Sequence, residues 1–402
     1  MLKIGLLDSF SRICYFITKL IICKKDLKML IFKREIAEQI FSRLKKRGLI
    51  VILGPRQSGK TTLSKEILFR IGASDAYFDC ELADVRRHFV MGEPATLLNL
   101  IEDRKLVVFD EAQTIENIGK ILKIFHDTYP DIKIIATGSS AFDLANKIRE
   151  PLTGRADEFL LYPLSVNEVG SVFNLTREKL DDLMNYGLYP AVVAAGTIDE
   201  KEAEIKRIAT NYLYKDVFTF EALRNPKAFE DLVVHLASRV SGTISTNDLA
   251  KEVGIAPPTV EKYIRLLEQA FVVRRVYSFS RNYSNELKKA YKVYFIDNGV
   301  RNALSGLGIG CPSPKDAGIR FESLVFTEFL KQDTLVAFPP RINFWRTRDK
   351  REIDFIRSNG EKIEAIEAKL SPENVSFSYF TKRYPMAETN VITPEFYLAR
   401  CE

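Results

Sequence analysis

The residues that most plainly can do chemistry lie near the start of the chain. Gly54-Pro55-Arg56-Gln57-Ser58-Gly59-Lys60-Thr61 fits the phosphate-loop pattern GxxxxGK[ST]. Its glycines let backbone amides approach phosphate oxygens, and the start of the following helix, from Thr62, adds favourable electrostatics for an anion. Lys60 reaches β- and γ-phosphates, and the Thr61 hydroxyl ligates magnesium. The nucleotide is ATP or GTP, with ATP the expected ligand. A glycine-rich turn that ends in GKT by chance is the alternative, and a second signal weakens it.

That signal is Leu106 to Glu111, an apolar run ending in two carboxylates. Asp110 can hold magnesium directly or through water, and Glu111 can polarise the attacking water. A third apolar run, Lys133 to Ala136, ends in Thr137-Gly138-Ser139-Ser140. A hydroxyl here can touch a γ-phosphate or the lytic water, and Ser139 is the candidate. The competing account is a strand-to-loop turn of small residues.

These groups need a scaffold, and the flanking sequence predicts one. Residues 48–53, GLIVIL, read as a buried parallel strand and 62–69 as the helix after the loop, which makes this part α/β with a parallel sheet. At 402 residues the chain exceeds one ordinary core. Hydrophobic residues make up 46% and charged residues 28%, a balance that argues against extensive disorder. The net charge of +6 is too small to prove a nucleic-acid partner. The five cysteines show no CxxC spacing, so neither zinc nor a disulfide framework is indicated and a cytoplasmic, reducing location is expected. The histidines, His88, His126 and His235, are far apart and are read as structural. Residues 1–28 are apolar but interrupted by Asp8, Arg12 and Lys19, so no membrane span is expected. They are either a start-site extension or an amphipathic membrane-surface helix.

Further on, Ile244 to Gly254 and Pro257 to Gln269 read as two helices around a glycine turn, with Phe271 to Tyr277 as a wing-like strand. Were the second helix to enter a major groove, Thr259, Lys262 and Arg265 would face DNA, with Arg274 and Arg275 on phosphates. Such units also serve as structural lids and protein docks.

The last third carries Glu322 in a helical segment, Asp354 in REIDFI, and Glu367 with Lys369 in KIEAIEAKL. Side chains two apart on a strand share a face, and a hairpin at Asn359-Gly360 brings Asp354 to them. Two carboxylates and a lysine can form a site for a second Mg2+ or Mn2+ that activates water against a phosphodiester. An amphipathic strand with Glu and Lys on its solvent face is the plainer account. Trp345 can stack on a base or be a half-buried strand residue.

The order of these elements resembles the AAA-type ATPases of archaea and bacteria that join a P-loop module to a winged helix and a nuclease-like domain. The resemblance is carried by GPRQSGKTTL at 54–63, VVFDEAQ at 107–113, TGSSA at 137–141, LTGRADEFLLYPLSVNE at 152–168 and GLYP at 187–190. It implies that Arg155 supplies charge to a γ-phosphate, in trans or in cis, against the alternative of a solvated arginine. It further implies that Pro190 stands against adenine, although Leu188 replaces a frequent second glycine. The C-terminal set resembles a PD-(D/E)xK fold, with Gly318 to Glu322 similar to the preceding helix motif of RecB-like members, but no glutamine follows. The implied fold is α/β: an N-terminal extension (1–28), a P-loop core (29–170), a helical lid and connector (171–232), a winged helix-turn-helix (233–282) and a restriction-endonuclease-like α/β domain (283–402). The implied function is a magnesium-dependent ATPase associated with DNA, able to form homo-oligomers. Its nuclease-like domain is either active or retained in a nucleotide-controlled switch.

Overall fold

The computed structural model describes residues 32–45, 48–139, 152, 154–211, 225–280, 291–306, 309–310, 312–347, 349, 351–371 and 375–399. The expectations for residues 1–28, for Ser140 and Ala141 and for Thr153 lie outside these. All elements below belong to one compact unit, Lys33–Glu402.

Short β-branched runs with no polar alternation must be covered on both faces, which favours a parallel sheet flanked by helices. Strands β1 (Leu49–Leu53), β2 (Tyr77–Asp79), β3 (Leu106–Asp110), β4 (Lys133–Gly138) and β5 (Ala156–Leu160) form one in the order β2-β3-β4-β1-β5. Every pairing is parallel. β1 and β3 are buried along their whole length, whereas the edge strands β2 and β5 are only partly covered. Because the strands are parallel, the residues following β1, β3 and β4 emerge on one edge. That geometry brings Gly54, Asp110 and Ser139 together.

Helices Arg177–Tyr186, Pro190–Ala194 and Ile198–Asn211 follow the sheet. After them come helix Pro226–Ser238, β6 (Thr243–Ile244), helices Thr246–Val253 and Pro257–Gln269, β7 (Val273–Tyr277) and β8 (Tyr291–Phe295). The three strands make an antiparallel sheet in the order β6-β8-β7. Here the expected boundary at 282 fails, because β8 pairs with β7 from Val273↔Phe295 to Tyr277↔Tyr291. A cut at 282 would divide a sheet whose strand β8 is buried throughout.

Helices Asn298–Ser305 and Pro314–Asp333 lead into β9 (Arg341–Arg346), β10 (Glu352–Asn359), β11 (Lys362–Ala368) and β12 (Glu388–Ile392), ordered β12-β11-β10-β9. The β10–β11 hairpin turns at Gly360, whose φ of 60° is left-handed. β12 joins β11 in parallel. Trp345 is buried edge-on against Phe380 in this sheet's core, which settles it as a packing residue.

Candidate nucleotide site and a second acidic cluster

The phosphate loop has a shape that only its glycines allow. A Cβ on Gly54 would stand 2.1 Å from the Leu161 carbonyl oxygen, and Gly59 has φ 100° immediately before helix Lys60–Ile71. No side chain caps that helix, so its first-turn amides are left to an anion. The buried Lys60 Nζ donates to the carbonyls of Gly54 (2.9 Å) and Pro55 (2.8 Å). Beneath the loop lies Arg34, a buried residue that no motif announces. It donates to the carbonyls of Ser58 and Tyr162, each at 2.6 Å, and its Nε meets Glu168 Oε1 at 3.0 Å.

Asp110 ends β3 between β2 and β4, and the pairing Phe109↔Ala136 sets it beside Thr137. Its carboxylate accepts from the Thr61 hydroxyl (2.6 Å), the Tyr77 hydroxyl (2.6 Å) and the Thr137 hydroxyl. Burial, and then Asp110, push the Tyr77 phenol well above its ordinary pKa, so it remains a donor. Glu111 has φ 52°, an uncommon value for a non-glycine, and its carboxylate turns toward β4. There Ser139 Oγ donates to Glu111 Oε2 at 3.2 Å, and Gln113 Nε2 donates both to Glu111 and, at 3.2 Å, to Ser139. Thr137, which donates to Asp110 and accepts from the Glu111 amide at 3.1 Å, joins Thr61, Asp110, Glu111 and Ser139 into one hydrogen-bonded set. Tyr77, Gln113 and Thr137 belong to it and were not singled out by sequence. Gln113 and Thr137 lie inside the quoted motifs, where a polar residue at a buried strand end was the available signal.

Pro190 stands against the loop, its Cγ 3.9 Å from where a Cβ on Gly59 would be. The turn before it forms despite Leu188. Gly187 takes φ 87°, and Asp297 Oδ2 accepts from the Leu188 amide at 2.7 Å. A Cβ on Gly187 would meet Asp297 Oδ1 at 2.1 Å, and one on Gly299 would meet the Tyr186 carbonyl at 1.9 Å. The segment Asp297-Asn298-Gly299 is thus the seat of the turn beside the phosphate loop. From helix Ile198–Asn211, Arg207 Nη2 reaches Gln57 Oε1 at 3.2 Å.

Arg155 lies elsewhere. It precedes β5 at the edge where β1 begins, since Leu49 pairs with Ala156, and is bound to Asp127 at 2.8 Å. The length of β1, roughly 15 Å at the usual rise, separates it from the phosphate loop, so the expected role in cis does not hold.

On helix Pro257–Gln269, Lys262 and Arg265 are exposed, Thr259 is half-buried, and Arg274 on β7 is exposed. Arg275 departs from the expected phosphate contact. It meets Glu268 Oε2 and Glu261 Oε2, each at 2.6 Å, and two carboxylates hold its half-buried guanidinium away from any other anion.

The C-terminal residues do converge. Lys369 Nζ is 2.7 Å from Asp354 Oδ2 and 2.6 Å from Glu367 Oε2. Glu322, on helix Pro314–Asp333, accepts from Ser241, from the Tyr294 hydroxyl and from Lys292 Nζ at 3.3 Å. Burial raises Asp354 while Lys369 and Lys292 lower it, and the ammonium groups prevail. Burial, then the Asp354 charge, raise Glu367 to about 8. Among the described residues no group of three His, Cys, Asp or Glu side chains is placed to hold a metal.

Comparison with known proteins bears on the class of the segment that carries the first site. Residues 46–170 match the family model described as AAA domain, which gives this segment the class of an AAA-type P-loop ATPase. Two further models, each described as a domain of unknown function, match residues 177–309 (DUF8612) and 317–396 (DUF4143). The second junction thus falls after β8, as the sheet requires. An uncharacterized protein of Mycobacterium tuberculosis is 27% identical over 331 residues, covering 81% of this chain and 71% of the relative. One from Methanocaldococcus jannaschii is 25% identical over 340 residues, covering 79% and 73%. Among solved structures, a Walker-type ATPase of Pyrococcus abyssi aligns with 68% of this chain and 96% of its own at TM-score 0.47 and 18% identity. AMPPCP-bound DnaA from Aquifex aeolicus aligns with 58% and 86% at TM-score 0.29 and 17% identity. No helix among the described residues is long and apolar enough to cross a membrane.

Proposed function

We propose that this chain binds and hydrolyses ATP with magnesium and uses the nucleotide state to control a DNA-associated module. The observation that carries the first part is the hydrogen-bonded set joining Thr61 and Asp110 to Glu111 and Ser139 at the mouth of the phosphate loop. Thr61 and Asp110 would hold magnesium, which supplies charge neutralisation across the β- and γ-phosphates. Lys60 leaves its carbonyl partners for phosphate oxygens. Glu111 takes the proton of a water whose oxygen attacks the γ-phosphorus as the bond to the bridging oxygen breaks, and Ser139 orients that water. Pro190 bears on the adenine side. Lys60→Ala should abolish hydrolysis and weaken ATP binding, whereas Glu111→Gln should keep ATP and lose turnover. A Glu111→Gln protein that turns over like wild type would remove Glu111 from the mechanism. If Arg155 serves a neighbouring subunit of a homo-oligomer, mixing Arg155→Ala with Lys60→Ala chains should restore part of the activity; verified mixed oligomers without rescue would leave Arg155 as a surface ion pair.

The DNA-associated part rests on the order helix, strand, two helices and antiparallel strands, which we read as a winged helix, with Lys262, Arg265 and Arg274 exposed. Duplex binding should weaken with salt, and Lys262→Ala with Arg265→Ala should flatten that dependence. An unchanged slope would make the unit a protein dock. We read the C-terminal sheet as a PD-(D/E)xK-like domain that serves as a binding module. Metal-dependent cutting of linear, branched or single-stranded DNA that is lost in Asp354→Ala would restore the nuclease reading.

A further inference from the structure

We propose that Lys292 is the resident cation of the C-terminal acidic cluster, its ammonium neutralising carboxylates that a nuclease of this architecture would present to a divalent metal. The proposal rests on reading β9 to β12 as PD-(D/E)xK-like and explains why that domain would bind rather than cut.

Lys292 is not part of that domain's own sheet. It comes from β8, in the antiparallel sheet of the preceding module, and its side chain is fully buried. Its Nζ lies 2.6 Å from Glu352 Oε1 and 3.3 Å from Glu322 Oε1, close enough to Asp354 to interact with it electrostatically. Lys369 fills the other side, bridging Asp354 and Glu367. Each carboxylate a metal would need is therefore already engaged through at least one oxygen. Glu322 uses one for Tyr294 and Lys292 and the other for Ser241. Asp354 Oδ2 takes Lys369 Nζ and the Ala368 amide at 3.0 Å. Glu352 Oε2 faces Arg346 at 3.5 Å.

Charge leads to the same place. Glu322, Glu352, Asp354 and Glu367 are faced by Lys292, Lys369 and Arg346, so the cluster is close to neutral without any added ion. A magnesium ion needs near-octahedral oxygen ligands at about 2.0–2.1 Å. To enter between Glu322 and Glu352, it would have to displace the buried Lys292 ammonium. Lys292 was not singled out in the sequence because its partners are 30 and 60 residues away.

The test counts bound Mn2+ by EPR, without nucleotide, in full-length protein whose phosphate-loop metal site is removed by Thr61→Ala with Asp110→Asn. In this background Asp354→Asn should leave Mn2+ binding unchanged. Lys292→Ala, which frees the carboxylates, should gain one Mn2+ per chain, and adding Asp354→Asn should remove it again. A background protein that already binds one Mn2+ per chain, lost on Asp354→Asn, would overturn the proposal. So would a folded Lys292→Ala protein that gains none. If Lys292→Ala does not fold, Lys292→Gln replaces it, with the same expected and overturning results. Because the phosphate-loop metal site is absent throughout, failure here leaves the ATPase reading untouched.

Discussion

Two clusters of carboxylates lie in this molecule, and what surrounds them sets them apart. Asp110 and Glu111 take their hydrogen bonds from neutral groups: the hydroxyls of Thr61, Tyr77, Thr137 and Ser139, and the Gln113 amide. Asp354, Glu352 and Glu367 are faced by Lys369, Lys292 and Arg346, and Glu322 adds Lys292 to two hydroxyl donors. A hydroxyl can turn aside for a metal at the cost of a hydrogen bond, about 1 kcal/mol net. An ammonium can leave only by separating buried charges, which costs several times more. The same residue types are thus faced by neutral donors in one place and by cations in the other. Their identity does not decide the chemistry.

The comparison breaks most directly on activity. Asp110→Asn should lower ATP turnover by roughly 10²–10⁴-fold, as expected when a group that acts on the transition state is lost. Asp354→Asn should leave turnover within about twofold, since it touches no residue of the phosphate-loop site. Steady-state phosphate release measures both. Comparable losses in the two variants would show that the clusters act as one site, coupled through β8, which carries Lys292 and runs into Asp297 beneath the Pro190 turn.

That connection marks the limit of what the sequence discloses. The phosphate loop, β3 and β4 were legible because local pattern and function coincide there: an apolar run, then a glycine or an acid at its end. Asp354, Glu367 and Lys369 were legible for the same reason, lying on one hairpin. Arg34 and Lys292 were not, because each works on partners more than 20 residues away, through pairings that no periodicity encodes; Asp297 reads as the end of a strand, but its bond to the Leu188 amide, 109 residues away, is not encoded there. Arg275 was misread in the opposite direction. It is expected on a phosphate from the wing-like strand, while Glu261 and Glu268 of the preceding helix claim it. Gly187 and Gly299 show why the lid turn tolerates Leu188: the close approach to Asp297 falls on Gly187 within the turn, and that to Tyr186 on Gly299 in the facing segment.

Stability separates the clusters by a smaller margin. Lys292→Met should cost about 3–5 kcal/mol in denaturant unfolding, because it strands buried carboxylates. Tyr77→Phe should cost about 1 kcal/mol, the loss of one hydrogen bond from a carboxylate that keeps two other hydroxyl donors. Equal costs would mean that Lys292 contributes packing and not charge, and the resident-cation proposal would lose its energetic basis.

The smallest effect is on pH, and it belongs to Glu367. In the unfolded chain this carboxyl titrates near its ordinary value, about 4.3. In the fold, burial and the neighbouring Asp354 charge raise it to about 8, so the native protein holds the proton more tightly than the unfolded chain does. The stability that comes from that proton is fully present below the unfolded pKa, and it is lost as pH rises through about 8. Lys369 is 38% exposed, and solvent reaching it softens the penalty of a second negative charge. The expected loss is therefore on the order of 1–2 kcal/mol between about pH 5 and pH 9. Glu367→Gln cannot ionise and keeps a comparable shape, so its unfolding free energy should fall less over this range than that of wild type. Parallel pH profiles for the two proteins would place the cluster's proton elsewhere, leaving Glu367 ionised against Lys369 and the cluster with one negative charge more than its cations balance.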